Sequence, residues 1–104
     1  MTIINLTQHT ITPEQLAQGV RDLPDWSRPG VKSLLTLNEP DARMGRRAAA
    51  LLAKLCQDVA LEVGATEVMI APGAIPMFVL AEAIADVGLR VVDSTGEDIT
   101  PWEK

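Results

Sequence analysis

Cysteine and histidine each occur once, and that scarcity removes whole classes of chemistry. Cys56 has no second thiol to pair with, which excludes a disulfide framework, and one thiol with one imidazole falls short of the usual zinc sets. Cys56 stands in a helical pattern with Leu52, Leu55 and Val59, and a reducing cytoplasm suits such a chain. Ser27, Ser33 and Ser94 lack the elbow-like context of a hydrolytic nucleophile. Positive charge is also scarce. Nine Lys and Arg against fourteen Asp and Glu leave a formal charge of −5, a field that repels duplex nucleic acid and anionic membranes. Any anionic ligand therefore has to be small and held locally. The most apolar stretch, VMIAPGAIPMFVLAEAIADVG, is broken by two prolines, Gly73, Glu82 and Asp86, so it does not read as a membrane span. Met1 is followed by TIINL without a basic or a long apolar region, so no signal peptide is expected. Repeats and low-complexity tracts are absent too. Glu39, Asp41, Asp93 and Asp98 have no spacing that demands magnesium, and no metal or other cofactor is expected.

What is present is a chain of 104 residues, 47% apolar and 22% charged, which is enough for one folded domain spanning residues 1–104. Ile3, Ile4 and Leu6 suit a strand buried on both faces. Thr12, Pro13 and Gln15 have the form of a capping box at the start of a short helix that ends near Gly19. RDLPDWSRPG, residues 21–30, reads as loop, and VKSLLTLN, residues 31–38, as the second strand. A long helix follows, capped by Asp41, with Met44, Ala48, Leu51, Leu52, Leu55, Val59 and Val63 at helical spacing and Gly64 as its stop. TEVMIAP is the third strand, Pro76 to Val87 the third helix, and LRVVDST the fourth strand, with a tail that either docks through Ile99 and Trp102 or swaps onto a partner subunit. Strands alternating with helices predict an α/β domain: a small three-layer, Rossmann-like fold with a four-stranded, mainly parallel sheet and helices on both faces. Right-handed crossovers then give the strand order 2-1-3-4.

In that order the loops after the first and third strands, TQHTIT and APGAIP, flank the switch point where open α/β sheets bind ligands. Each leads into a helix N-terminus, which attracts anions. The candidate ligand-binding residues are accordingly Asn5 at the end of the first strand, Thr7, Gln8, Thr10 and Thr12 from the loop after it, and Ala71, Gly73 and Ala74 from the second loop. His9 is the candidate proton donor or base, set against the plain alternative of an exposed loop histidine. Asn5 is disfavoured within a strand and either faces a ligand or pairs with neighbouring backbone; Thr12 and Gln15 are explained by capping alone. APGAIP lacks the glycine spacing of a dinucleotide or P-loop motif and has no lysine. Asp93 and Ser94 after the fourth strand, and Arg46 of the Arg43, Arg46 and Arg47 group, complete the set; a polar turn and solvated charge are their simpler readings.

The opening IINLTQHTITPEQLAQ resembles the start of the small CRISPR-associated proteins of the ring-nuclease group, and is similar to that of certain phage and bacterial proteins. The resemblance covers about the first sixteen residues and is otherwise one of fold. It implies a CARF-type domain that forms a homodimer and binds cyclic oligoadenylate, a second messenger of antiviral defence, across the dimer axis. It also implies that Asn5, Gln8 and His9 face the ligand, with Gln8 standing where the family has a serine or other polar group before the histidine.

Three readings follow. The first is a homodimer that binds a cyclic oligonucleotide and cleaves it without a metal, His9 serving as acid or phosphate donor. The second is a non-catalytic sponge or sensor for the same ligand, and the third an interaction module whose surface is Trp26, Trp102 and Met77.

Overall fold

A computed structural model describes residues 2–7, 9–35, 42–72 and 75–101, without the side chains of residues 42–44. The elements in chain order are β1 (Ile3–Asn5), α1 (Pro13–Ala17), β2 (Val20–Arg21), α2 (Arg28–Leu35), α3 (Ala42–Val63), β3 (Glu67–Met69), α4 (Met77–Asp86) and β4 (Arg90–Val92). The four strands form one sheet in the order β2-β1-β3-β4, and every strand pair is parallel. The α/β class and the order 2-1-3-4 are those expected from the sequence. Asp41, named for the long helix, and Trp102, named for the tail, lie outside the described residues, as does the side chain of Met44.

The second place in that order is filled by a different segment. Val20–Arg21 forms the strand, and residues 28–35, expected as the end of a loop and the start of a strand, are helix α2. The reason lies in spacing. Val31 is buried and Leu34 and Leu35 pack against the same core, an i, i+3, i+4 set that covers one helical face, whereas a strand would send adjacent Leu34 and Leu35 to opposite sides. Pro29 falls in the first turn, where its missing N–H removes no helical bond, and the Ser27 carbonyl accepts from the Val31 N–H to open the helix. The turn from α1 to β2 passes through Gly19, whose φ of 102° is disfavoured for residues bearing a Cβ. The Gly19 carbonyl then accepts from the Ile3 N–H and begins the β1–β2 pairing.

Alternation along the strands divides the sheet into two unequal faces. Ile4, Leu6, Val68, Ile70 and Val91 point into the main core, where α2, α3 and α4 contribute Val31, Leu52, Cys56, Val59, Leu80 and Ile84. Ile3, Val20, Met69 and Val92 form a smaller cluster on the other face, with Ile11 packed on it. Ile11 leads into α1, a five-residue helix with no buried residue of its own, so the third layer is thin. At the β4 edge the tail folds back: Asp98 bridges Val92 in antiparallel sense, Ile99 packs on the core and Thr100 bonds the Val91 backbone. At the β2 edge the Arg21 guanidinium donates to the Val20 carbonyl at 2.8 Å, which blunts that edge. Among the described residues no helix is long and apolar enough to cross a membrane.

The stability should follow this division of labour. Leu52, with no exposed surface, should lose about 2–5 kcal/mol on truncation to alanine. Leu61, on the same helix but 81% exposed, should tolerate the same change within about 0.5 kcal/mol. Urea unfolding of Leu52→Ala and Leu61→Ala checks both.

Candidate binding cleft

The pairing of β1 with β2 sets Ile3 beside Val20 and Ile4 beside Arg21, so the next residues along, Asn5 and Asp22, come abreast at the carboxyl ends of the two strands. Asn5 is buried, and its amide is fully engaged. Its Nδ2 donates to the His9 carbonyl at 3.0 Å and to Asp22 Oδ1 at 3.3 Å, while its Oδ1 accepts from the Thr7 N–H at 3.0 Å and from Thr7 Oγ1 at 2.6 Å. Two donors and two acceptor sites are all that a carboxamide offers. Thr7 Oγ1 in turn accepts from the His9 N–H at 3.3 Å. Of the two readings left open for Asn5, the structure thus records the one in which it pairs with its own loop.

This network shapes one wall of a cleft of about 330 Å³. Asn5, Thr7, His9 and Thr10 line it from the β1 side, and Asp22, Arg28 and Lys32 from the segment between β2 and α2, with Leu6, Leu23 and Val31 as its apolar lining. The His9 ring and the Thr10 hydroxyl belong to exposed residues and have no hydrogen bond to another described residue. Arg28 donates through Nε to the Leu23 carbonyl at 3.0 Å, and Asp25 lies 3.7 Å from the same nitrogen. That exposed ion pair is worth little, and the terminal nitrogens of the guanidinium have no described partner.

Of the candidate residues read from the sequence, Asn5, Thr7, His9 and Thr10 come together here. Thr12 does not line the cleft; it caps α1, its side chain accepting from the Gln15 N–H while Gln15 bonds back to the Thr12 N–H. Ala71 follows β3, and Arg46 lies exposed on α3; neither lines the cleft. The Ser94 carbonyl accepts from Gln15 Nε2 at 2.9 Å, tying the turn after β4 to α1. Asp93 Oδ1 accepts from the Thr95 hydroxyl and from the Thr95 and Glu97 N–H groups, so it closes that turn. The Thr95 hydroxyl, and then those backbone donors, hold its carboxyl below the ordinary value. A depressed value contributes stability only above the unfolded pKa, near 3.9, and loses it as pH falls through the folded one. Gln8, Gly73 and Ala74 lie outside the described residues, as do Glu39 and Asp41.

Asp22, Arg28 and Lys32 are not evident from the sequence, in which residues 21–30 read as loop and 31–38 as strand. With the helix start at Ser27-Arg28-Pro29 recognised, Arg28, Val31 and Lys32 fall at i, i+3 and i+4 on one face. Among the described residues no three His, Cys, Asp or Glu side chains gather as metal ligands. Cys56 is no nucleophile, since burial pushes its thiol up to about 12.

Asn5→Ala strips acceptors from the buried Thr7 N–H and hydroxyl and should lower stability by roughly 2–4 kcal/mol. Asn5→Asp keeps those acceptors but sets an anionic oxygen against the His9 carbonyl and Asp22 where the amide donated, and should lose at least as much; chemical denaturation of both variants measures this. Comparison of the chain with protein-family models, with curated proteins and with solved structures found no match.

Proposed function

We propose that this protein binds a small anionic nucleotide, a unit of a cyclic oligonucleotide such as cyclic oligoadenylate, in the cleft at the carboxyl ends of β1 and β2. One observation carries the reading: a cleft that joins an apolar lining of Leu6, Leu23 and Val31 to the cationic side chains of Arg28 and Lys32 and the protic groups of His9 and Thr10. The apolar surface suits a base, the cations suit a phosphate, and the chain's negative charge makes such a local cationic pair the place where an anion can be held. The resemblance of IINLTQHTITPEQLAQ to ring-nuclease proteins supports the same class of ligand.

A volume of about 330 Å³ lies at the low end for ligand sites and matches one nucleotide unit. A ring of several units therefore calls for more than one cleft, which a homodimer with two-fold symmetry supplies. Capture is the part of the reading that the cleft itself supports. Scission adds a proton delivered to the leaving oxygen and a positioned 2′-hydroxyl, with His9 as the donor. Since Asn5 and Thr7 spend their hydrogen bonds on one another and on the loop, they act as positioning residues rather than as ligands.

Thermal unfolding against cyclic di-, tri-, tetra- and hexanucleotides tests the reading. At a hundred times its dissociation constant the fitting ring should add about 2.7 kcal/mol. Arg28→Ala should lose that shift and Arg46→Ala, outside the cleft, should retain it. Chromatography of the bound material separates linear products, and hence cleavage, from intact ligand. A melting temperature that no ring changes overturns the proposal and favours an interaction module, for which Trp26 is half-exposed while Met77 packs against the core.

A further inference from the structure

Resting on the nucleotide reading above, we infer that Asp22 is a specificity-determining residue of the cleft: its carboxylate accepts a hydrogen bond from a ligand hydroxyl and selects a ribose over a deoxyribose. The inference starts from an apparent conflict. A site that holds an anion with Arg28 and Lys32 also exposes a carboxylate in the same cleft, and that carboxylate repels phosphate. A ligand fits both halves only if it turns its anion to the cations and a hydrogen-bond donor to Asp22.

Asp22 is built for that task on one side and open on the other. The β1–β2 register brings it abreast of Asn5, and the buried Asn5 amide donates to its Oδ1 at 3.3 Å. That bond engages one oxygen and orients the group. Oδ2 has no partner among the described residues, and no cation of the described chain forms an ion pair with it. A carboxylate can accept about four hydrogen bonds, so most of its capacity is unspent within the described chain. Asn5 has none left to offer a ligand, and the Thr7 hydroxyl already gives its proton to Asn5. Asp22 is thus the one anionic, acceptor-only side chain of the described lining, while Arg28 and Lys32 bring donors and His9 and Thr10 can serve as either. An anion without a donor, such as sulfate, leaves that acceptor unmet; a ribonucleotide satisfies it through the 2′-hydroxyl.

The test measures affinity by calorimetry for two probe pairs, adenosine 5′-monophosphate and cyclic tetraadenylate, each against its 2′-deoxy counterpart, with inosine 5′-monophosphate as a further probe. The wild-type protein should bind a ribo probe roughly ten- to a hundredfold more tightly than the deoxy one, the span expected for a hydrogen bond to a charged group. Asp22→Asn keeps an oxygen for the Asn5 amide but removes the charge, and should shrink the ratio to about threefold or less. A ratio is insensitive to a general loss of fold, which the unliganded melting temperature reports separately. Ribo binding with no preference over the deoxy form, or with a preference that survives Asp22→Asn, overturns the inference and leaves nucleotide binding standing. A discrimination against inosine that vanishes in Asp22→Asn moves the donor to the base amino group and overturns the ribose assignment. Binding of neither ribo probe overturns the nucleotide reading and this inference together.

Discussion

The carboxamide of Asn5 is the constraint on which the cleft depends. It sits where β1 ends, buried, and it holds four partners at once: the Thr7 backbone, the Thr7 hydroxyl, the His9 carbonyl and the Asp22 carboxylate. Because a buried amide left unpaired costs more than a paired one contributes, the polar loop after β1 has few ways to fold other than around it. Three of those bonds fold the β1 loop and the fourth, to Asp22, ties it to the end of β2 beside the strand pairing, and the cleft opens there. Asparagine in a strand is unfavourable by propensity, so here local preference yields to a tertiary role.

The sheet explains why the cleft opens where it does. One face carries nearly the whole core, and α3 alone buries Leu52, Ala53, Cys56 and Val59 against it. The other face is covered by little more than Ile11 and the loop into α1. On that thin side Gln15 both completes the α1 capping box and reaches the Ser94 carbonyl, so the turns after β1 and β4 are tied to each other. At the carboxyl end of the sheet the cleft is then found toward β2, bounded by the segment running from Asp22 to Lys32. A switch point between β1 and β3 follows from the strand order, yet the described cleft lies one strand away from it.

Much of this was legible in the sequence where a pattern ran long enough to be read. The capping box at Thr12, the helical stripe through Leu52, Cys56 and Val59, the glycine stop at Gly64 and the apolar β3 and β4 segments all appear where residue spacing puts them. The second strand was not legible, because two residues carry no period and Val20–Arg21 is that short. Assigning its place to residues 31–38 kept the strand order right while turning a helix into a strand, since a short apolar run with Leu34 and Leu35 suits either. That one exchange hid half of the cleft: Arg28 and Lys32 become close neighbours, one turn apart, only on a helix. On the β1 side Asn5, Thr7, His9 and Thr10 line one wall, but the division of labour among them is not legible in the sequence, because which of them braces the loop depends on hydrogen bonds that spacing does not record.

The central claim is that the cleft bounded by the β1 loop and α2 is where this protein meets its ligand, and backbone amide shifts in a two-dimensional NMR titration with cyclic tetraadenylate test it most directly. The account predicts saturable shifts at His9, Thr10, Asp22, Leu23, Arg28 and Lys32, with Asp93 to Thr95 and Arg46 unmoved. Shifts concentrated at Ala71 and Asp93 to Thr95 instead, with the β1–α2 cleft silent, would contradict it.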